Sequence, residues 1–295
     1  MVNTTSEIRP RRSVLYLPGS NARALEKAAK LPSDCLIFDL EDAVAAASKV
    51  NAREEVTKAF RRHHYGLRER IIRVNGLDTP WGEEDMTLAA ALEPEAILFP
   101  KVSSARQVSE LVERLDGIGA TNLSVWLMIE TPQSIINVES IATTSSHIGA
   151  LVLGTSDLVK EIRARHTPER ENLAFALQRS VLAARAAGID VIDGVHLDFR
   201  NQQAFVQSCE AGRDMGFDGK TLIHPTQIEP ANSAFGYSQS DREHAKQVLE
   251  TWHDAQQSGK GVAELNGQLI ENMHAEQAQR VLEYLAVLDQ RAAEG

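Results

Sequence analysis

Short apolar runs alternate with segments of helical period along the chain. The runs that read as strands are Val14–Leu17, Cys35–Leu40, Ile71–Val74, Ala96–Phe99, Val125–Ile129, Ala150–Leu153, Asp190–Val195 and Thr221–Ile223. Most are continuously apolar rather than alternating, as expected of strands covered on both faces in a parallel α/β fold. Between them the apolar positions take a helical period over Ala22–Leu31, Lys49–Arg62, Glu83–Leu92, Ala105–Leu115, Pro132–Ile141, Arg170–Ala187 and Gln202–Met215. This repeated alternation predicts an α/β fold, a (β/α)8 TIM barrel. The alternative, a doubly wound sheet, calls for a glycine-rich phosphate turn after its first strand, and Leu17-Pro18-Gly19-Ser20-Asn21 does not match G-x-G-x-x-G. Beyond Pro225 the pattern changes to Glu229–Phe235, a helix over Asp241–Ser258, a turn at Gly259-Lys260-Gly261-Val262 and a last helix over Glu276–Arg291. That tail is longer than one closing helix needs. The chain therefore divides into a barrel, 1–235, and a C-terminal helical extension, 236–295, expected to cover the barrel's mouth or to dock on another subunit.

Composition narrows the setting. Against 31 Lys and Arg stand 41 Asp and Glu, a net charge of −10. With no basic stripe, a nucleic-acid surface is not expected, because such surfaces neutralise many phosphates. No apolar run is long enough to span a bilayer, and the start, Met1 to Arg9, lacks the apolar core of a secretion signal. A cytoplasmic protein without membrane contact is expected. Cys35 and Cys209 lie far apart, in an apolar run and a helical pattern, and read as buried free thiols. No H-x-x-x-H or C-x-x-C spacing points to zinc, and the adjacent His63 and His64 read as surface residues.

In a barrel of this class the active site sits at the C-terminal ends of the strands, so polar residues after each run carry the most information. The second run closes as Phe38-Asp39-Leu40-Glu41-Asp42, the third as Arg73-Val74-Asn75-Gly76, the fifth as Ile129-Glu130-Thr131-Pro132 and the sixth as Gly154-Thr155-Ser156-Asp157. Carboxylates converging from several strands repel one another unless a cation or bound protons hold them. Mg2+ is the simplest answer, since it takes one or two protein carboxylates and fills its other positions with water and substrate oxygens; Mn2+ shares those ligands. Glu130 and Asp157 suit that arrangement. For Asp157 or Asp42 the competing role is to cap the next helix, whereas beside Glu130 the better cap is Thr131. Arg73 is placed to clamp a substrate carboxylate or stabilise an enolate oxygen, or else to pair with Asp39 or Glu41. His196, Asp198 and His224 also follow strands, and for His224 packing against Pro225 competes with a catalytic role.

These residues lie within motifs that resemble the citrate-lyase β-subunit-like family, relatives of malyl-CoA and citramalyl-CoA lyases in the HpcH/HpaI aldolase superfamily. The matching pieces are Arg11-Arg12-Ser13-Val14-Leu15-Tyr16-Leu17-Pro18-Gly19-Ser20-Asn21, Phe38-Asp39-Leu40-Glu41-Asp42-Ala43-Val44, Arg73-Val74-Asn75-Gly76, Leu98-Phe99-Pro100-Lys101-Val102, Ile129-Glu130-Thr131-Pro132, Gly154-Thr155-Ser156-Asp157-Leu158 and Asp218-Gly219-Lys220-Thr221-Leu222-Ile223-His224-Pro225. They follow the family's order over most of the chain. The resemblance implies Mg2+ on Glu130 and Asp157, Arg73 on the substrate, and Asp39, Glu41 and Asp42 around them. It implies a coenzyme A thioester and a small 2-oxo acid as reactants, and a homo-oligomer, trimer or hexamer. In full-length members a C-terminal Asp within a stretch like Asp-Gly-Lys-Met-Ile-Asp carries the proton, delivered onto a neighbouring subunit's site. Here Leu265-Asn266-Gly267-Gln268-Leu269-Ile270-Glu271 offers Glu271 in its place, one methylene longer. Arg11, Arg12, Lys27 and Lys101 are the basic residues set against the anionic end of coenzyme A, with a solvated surface role as the alternative for each.

The function expected is Mg2+-dependent carbon–carbon cleavage of a short 3-hydroxyacyl-CoA, giving an acyl-CoA plus glyoxylate or pyruvate, or the reverse condensation. Three alternatives stand beside it: a citrate lyase β subunit acting on a carrier-bound citryl thioester, a malyl-CoA-type thioesterase, and a non-enzymatic CoA-ester-binding assembly subunit.

Overall fold

A computed structural model describes residues 8–294; residues 1–7, part of the start read above for a secretion signal, lie outside the described residues. The described residues form two compact units, one over Arg11–Phe235 and one from Gly236 onward. No helix among the described residues is long and apolar enough to cross a membrane.

The first unit opens with β1 (Ser13–Pro18), α1 (Ala22–Ala28), β2 (Cys35–Asp39), α2 (Lys49–Arg62), β3 (Glu69–Arg73), α3 (Gly82–Leu92), β4 (Ala96–Phe99) and α4 (Ala105–Gly117). It continues with β5 (Ser124–Ile129), α5 (Pro132–Ile136), α6 (Val138–Ala142), β6 (Ile148–Leu153), α7 (Thr155–Glu161), α8 (Ala174–Ala187), β7 (Asp190–Asp193), α9 (Gln202–Met215), β8 (Gly219–Leu222) and α10 (Ile228–Ala234). Strands β1 to β8 are parallel and close into a barrel through β1–β8 pairing, with Val14 opposite Thr221. This is the (β/α)8 TIM barrel that the alternation predicts.

Strand pleating sorts side chains into two cores. Val14, Cys35, Ile37, Ile71, Leu98, Trp126, Met128, Val152 and Ile192 fill the barrel. Their strand neighbours Leu15, Leu36, Phe38, Ile72, Ile97, Leu127, Leu151 and Val191 pack outward against the helices. The N-terminal end of the barrel is plugged by charge: Arg11 lies over the Trp126 ring, donates from Nε and Nη2 to Glu69 and reaches Asp190 at 2.7 Å. Cys35 and Cys209 are buried free thiols.

Several local differences from the sequence reading have physical causes. The stretch read as one helix, Pro132–Ile141, divides at Asn137, whose side-chain amide donates to the Ser103 carbonyl at 2.8 Å. Thr131 caps α5 as its chemistry suggests, closing a capping box with Ser134. Helix α7 escaped the periodicity because it has only seven residues. The helix expected from Arg170 begins at Ala174, since Arg170 takes a left-handed backbone (φ 54). Strand β7 stops at Asp193 rather than running to Val195.

The second unit holds α11 (Gln239–Gln257), a hairpin of β9 (Ala263–Leu265) and β10 (Gln268–Ile270), and α12 (Asn272–Glu294). Ala245, Val248, Ile270, Ala278, Val281 and Leu285 form its core. The hairpin turns at Asn266-Gly267, both with positive φ (53 and 81), as a two-residue turn of the I′ kind requires. The sequence reading saw a turn further upstream and missed this one.

Where β8 begins, a Cβ on Gly219 would lie 1.9 Å from the Arg11 carbonyl oxygen. Gly219→Ala is therefore expected to destabilise the barrel by about 1–3 kcal/mol, read as a lowered urea midpoint.

Candidate active site

Three inward positions turn polar where their strands end. Asp39 follows Ile37, Arg73 follows Ile71 and Glu130 follows Met128, each two residues beyond an apolar side chain of the barrel interior. The β2–β3 register sets Asp39 opposite Arg73. Their side chains form a fork, Nε to Oδ1 at 2.7 Å and Nη2 to Oδ2 at 2.6 Å. The Asp39 oxygens also accept the backbone N–H groups of Glu41 and Ala43, which shapes the loop after β2. Tyr16 lies beneath, its ring 4.7 Å from the Arg73 guanidinium carbon. Burial works against the Arg73 charge, but Asp39 and Glu41 outweigh it and hold the group well above its ordinary value.

Glu41 lies between two cations. Arg73 Nη1 is 2.9 Å from its Oε2, without hydrogen-bond alignment, and Lys101 Nζ is 2.9 Å from Oε1. Burial nevertheless pushes the Glu41 carboxyl up. Lys101 takes a left-handed backbone (φ 52), uncommon for a side-chain-bearing residue. That turn aims its N–H at Glu130 Oε1, 2.7 Å away, while its ammonium reaches Glu41.

Glu130 is 1% exposed, and none of the described residues donates a hydrogen bond to its Oε2. Burial, then Glu41, with Asp157 adding to them, pushes its carboxyl up to about 7. The inward position on the neighbouring β6 is Gly154, where a Cβ would lie 2.3 Å from Glu130 Oε2. The carboxylate thus takes the space a side chain there would need. Gly154 also caps α7, and Asp157 stands in that helix's first turn, where the helix dipole favours an acid. Asp157 is not itself the cap.

The cluster brings together Asp39, Glu41, Arg73, Lys101, Glu130 and Asp157. Acids crowd the mouth beyond what Arg73 and Lys101 offset, and a buried carboxylate has an oxygen without a donor. Both fit a hard divalent cation held by Glu130 and Asp157, which leaves most of its coordination to water and substrate. Asp42 sits exposed at the rim. Arg12 is a correction: it precedes β1, donates to Asp34 at 2.8 and 2.9 Å, and so lies at the strands' N-terminal ends, opposite the mouth. Arg11 is buried at that end too. Lys27 is exposed in the last turn of α1, the end that returns toward the strand starts. His224 caps a short turn, accepting from the Thr226 N–H, and stacks on Phe199. Glu271 belongs to the second unit, between β10 and α12, and its N–H donates to His274 Nδ1.

Sequence reasoning passed over Tyr16, Lys49 and Gly154. Tyr16 shares its facing with Val14, a signal parity offered. Lys49 is buried and donates to the carbonyls of Leu40 and Glu41 and to Asn75 Oδ1, all at 2.7–2.8 Å, which fixes the loop carrying Glu41. No local signal marks that role.

Residues 12–225 match the family described as HpcH/HpaI aldolase/citrate lyase. The chain is 44% identical over 273 residues to a (3S)-malyl-CoA thioesterase of Cereibacter sphaeroides (strain ATCC 17025 / ATH 2.4.3), covering 92% of this chain and 94% of the relative. It is 34% identical over 280 residues to the citrate lyase subunit beta of Escherichia coli (strain K12), covering 93% of each. Among solved structures, CitE from Mycobacterium tuberculosis in complex with magnesium, acetoacetate and coenzyme A is 25% identical with a TM-score of 0.75, covering 96% of this chain and 98% of that one.

Glu130 titrates higher in the fold than its usual 4.5, so its protonation stabilises the folded chain below that pH, and the contribution is lost as pH rises through about 7. Without divalent cation, wild-type protein is expected to lose stability across that window relative to Glu130→Gln, by on the order of a few kcal/mol. Urea midpoints of the two proteins at each end of the window measure it; parallel profiles contradict the assignment.

Proposed function

Because this chain belongs to the HpcH/HpaI aldolase/citrate lyase family, we propose that it is a divalent-cation-dependent enzyme acting on a short 3-hydroxyacyl-CoA thioester of the malyl-CoA kind. One observation carries the reading: the buried Glu130, with a donor on only one of its oxygens among the described residues, shares the mouth with Asp157 and with an arginine already oriented by Asp39. Mg2+, or Mn2+ with the same ligands, would polarise a substrate oxygen when bound there. Asp39 and the Tyr16 ring hold the Arg73 guanidinium in one plane, so its charge faces the mouth without reorganising. Lys101, half-exposed at the rim, meets the anionic part of the substrate and keeps Glu41 in place. Glu41, its proton affinity raised by burial, is suited to take a proton from water or from the substrate.

Two reactions use this arrangement. Hydrolysis, releasing free coenzyme A and a hydroxy acid, draws its support from the thioesterase relatives. Carbon–carbon cleavage, the reaction first expected from the sequence, draws its support from the family and the citrate lyase relatives. We favour hydrolysis because the thioesterases are the more similar to this chain. Glu271, the proposed proton carrier, and assembly as a homo-oligomer belong to the same reading and are checked by Glu271→Gln and by sedimentation.

Malyl-CoA and Mg2+ are expected to give free thiol and malate in equal amounts. Glyoxylate with intact acetyl-CoA selects cleavage instead, and no turnover of any short 3-hydroxyacyl-CoA overturns the proposal. Arg73→Lys is expected to lower kcat/KM about 100–1000-fold, because the fork onto Asp39 and the stack on Tyr16 are both lost.

A further inference from the structure

Asp193 and Lys220 form a second cross-strand pair on the outer side of the barrel wall. The β7–β8 register sets them opposite each other. Asp193 alternates with the inward Ile192, so it points toward the helices, where a Cβ on Gly212 of α9 would lie 2.9 Å from its Oδ2. Both side chains are fully buried, with Lys220 Nζ 2.6 Å from Asp193 Oδ2. Arg170 joins them, its Nη1 at 2.7 and 2.8 Å from the two carboxylate oxygens. The Gly194 N–H and the Thr221 hydroxyl complete the set on Asp193 Oδ1 and the Asp193 carbonyl. None of these groups lies in the cluster around Glu130.

What they touch connects them to it. Arg170 is in the segment that leaves α7, and it pins that segment to the end of β7. Gly194, directly after Asp193, packs so closely on Thr155 that a Cβ would sit 2.4 Å from the threonine hydroxyl oxygen. Thr155 is the first residue of α7, two before Asp157. The start of α7 therefore packs on the residue that follows this carboxylate, and the loop that leaves α7 is held to the same carboxylate farther along, at Arg170.

We propose that the Arg170–Asp193–Lys220 cluster is a positioning device for Asp157, fastening α7 to the end of β7 so that the Asp157 carboxylate stays beside Glu130. The inference rests on the metal reading of Glu130 and Asp157. Outer partners that orient a ligand commonly affect metal affinity, and here the orientation is transmitted by backbone rather than by a direct hydrogen bond.

The test is Mn2+ binding by the full chain, followed through the free-ion paramagnetic resonance signal, with Tm measured alongside. Arg170→Met is expected to raise the Mn2+ Kd about 10–100-fold, with Arg170→Lys recovering much of the loss. Gly194→Ala leaves the ion cluster intact but displaces Thr155, so it is expected to weaken binding independently, and it serves if Arg170→Met does not fold. Arg11→Met removes a comparably buried guanidinium at the other end of the barrel; it is expected to lower Tm while the Kd stays within about twofold. Wild-type binding with an unchanged Kd in Arg170→Met and Gly194→Ala overturns the positioning role alone. So does a Kd that follows Tm through all variants, Arg11→Met included. A wild-type protein that binds no Mn2+ overturns the metal reading and this inference with it.

Discussion

The pairing of Asp39 with Arg73 is the constraint from which the rest of the mouth follows. Register places the two side by side, and enclosure forces them together, because a buried carboxylate or guanidinium without a partner costs about 3–5 kcal/mol. Once Asp39 also holds the N–H groups of Glu41 and Ala43, the loop after β2 has one course, and Glu41 stands between Arg73 and Lys101. Lys101 then spends its left-handed backbone on Glu130, and Glu130 fills the space left bare by Gly154. Each group is oriented by the one before it, which leaves the mouth little room to relax when a substrate arrives.

Much of this was legible in the order of residues, for a definite reason. Inward positions on a buried strand are apolar until the strand ends, so Asp39, Arg73 and Glu130 stand out as the first polar residues of their facing. What the order does not carry is the partner across the sheet or the end of the barrel a residue occupies. Arg12 was set against the anionic end of coenzyme A, yet it precedes its strand, and Asp34 takes it up at the far end. Asp193 falls within the run Asp190–Val195 and Lys220 stands just before the run Thr221–Ile223; only the pairing of β7 with β8 shows that they face outward and meet. Helix α7 is too short to show a period, and Asp157 had to be recognised by its place after β6. The hairpin at Asn266-Gly267 did carry a readable sign, the Asn-Gly pair itself, which was overlooked beside the more conspicuous glycines upstream.

The two ends of the barrel divide their tasks. At the start of the strands Arg11, Glu69 and Asp190 satisfy one another, a closed arrangement whose worth is in packing. At the finish Glu130 keeps an oxygen without a donor among the described residues, and that oxygen is open to a ligand. Between them lies a dry layer of Ile37, Ile71, Leu98, Trp126 and Val152. That layer lets the mouth vary in chemistry without disturbing the plug, which is consistent with one scaffold serving relatives named for hydrolysis and for cleavage.

Closure of β1 on β8 also sets an order of events during synthesis. Ser13 and Lys220 are neighbours in the sheet, yet the ribosome makes them about two hundred residues apart. Until β8 emerges, β1 keeps an open edge, β7 has no outer neighbour, and Asp193 has no lysine beside it. The last strand closes both edges and brings Lys220 as a second cation to an acid that Arg170 already contacts. A nascent chain stalled before Lys220 presents two open strand edges at once, and open edges are where wrong pairing begins.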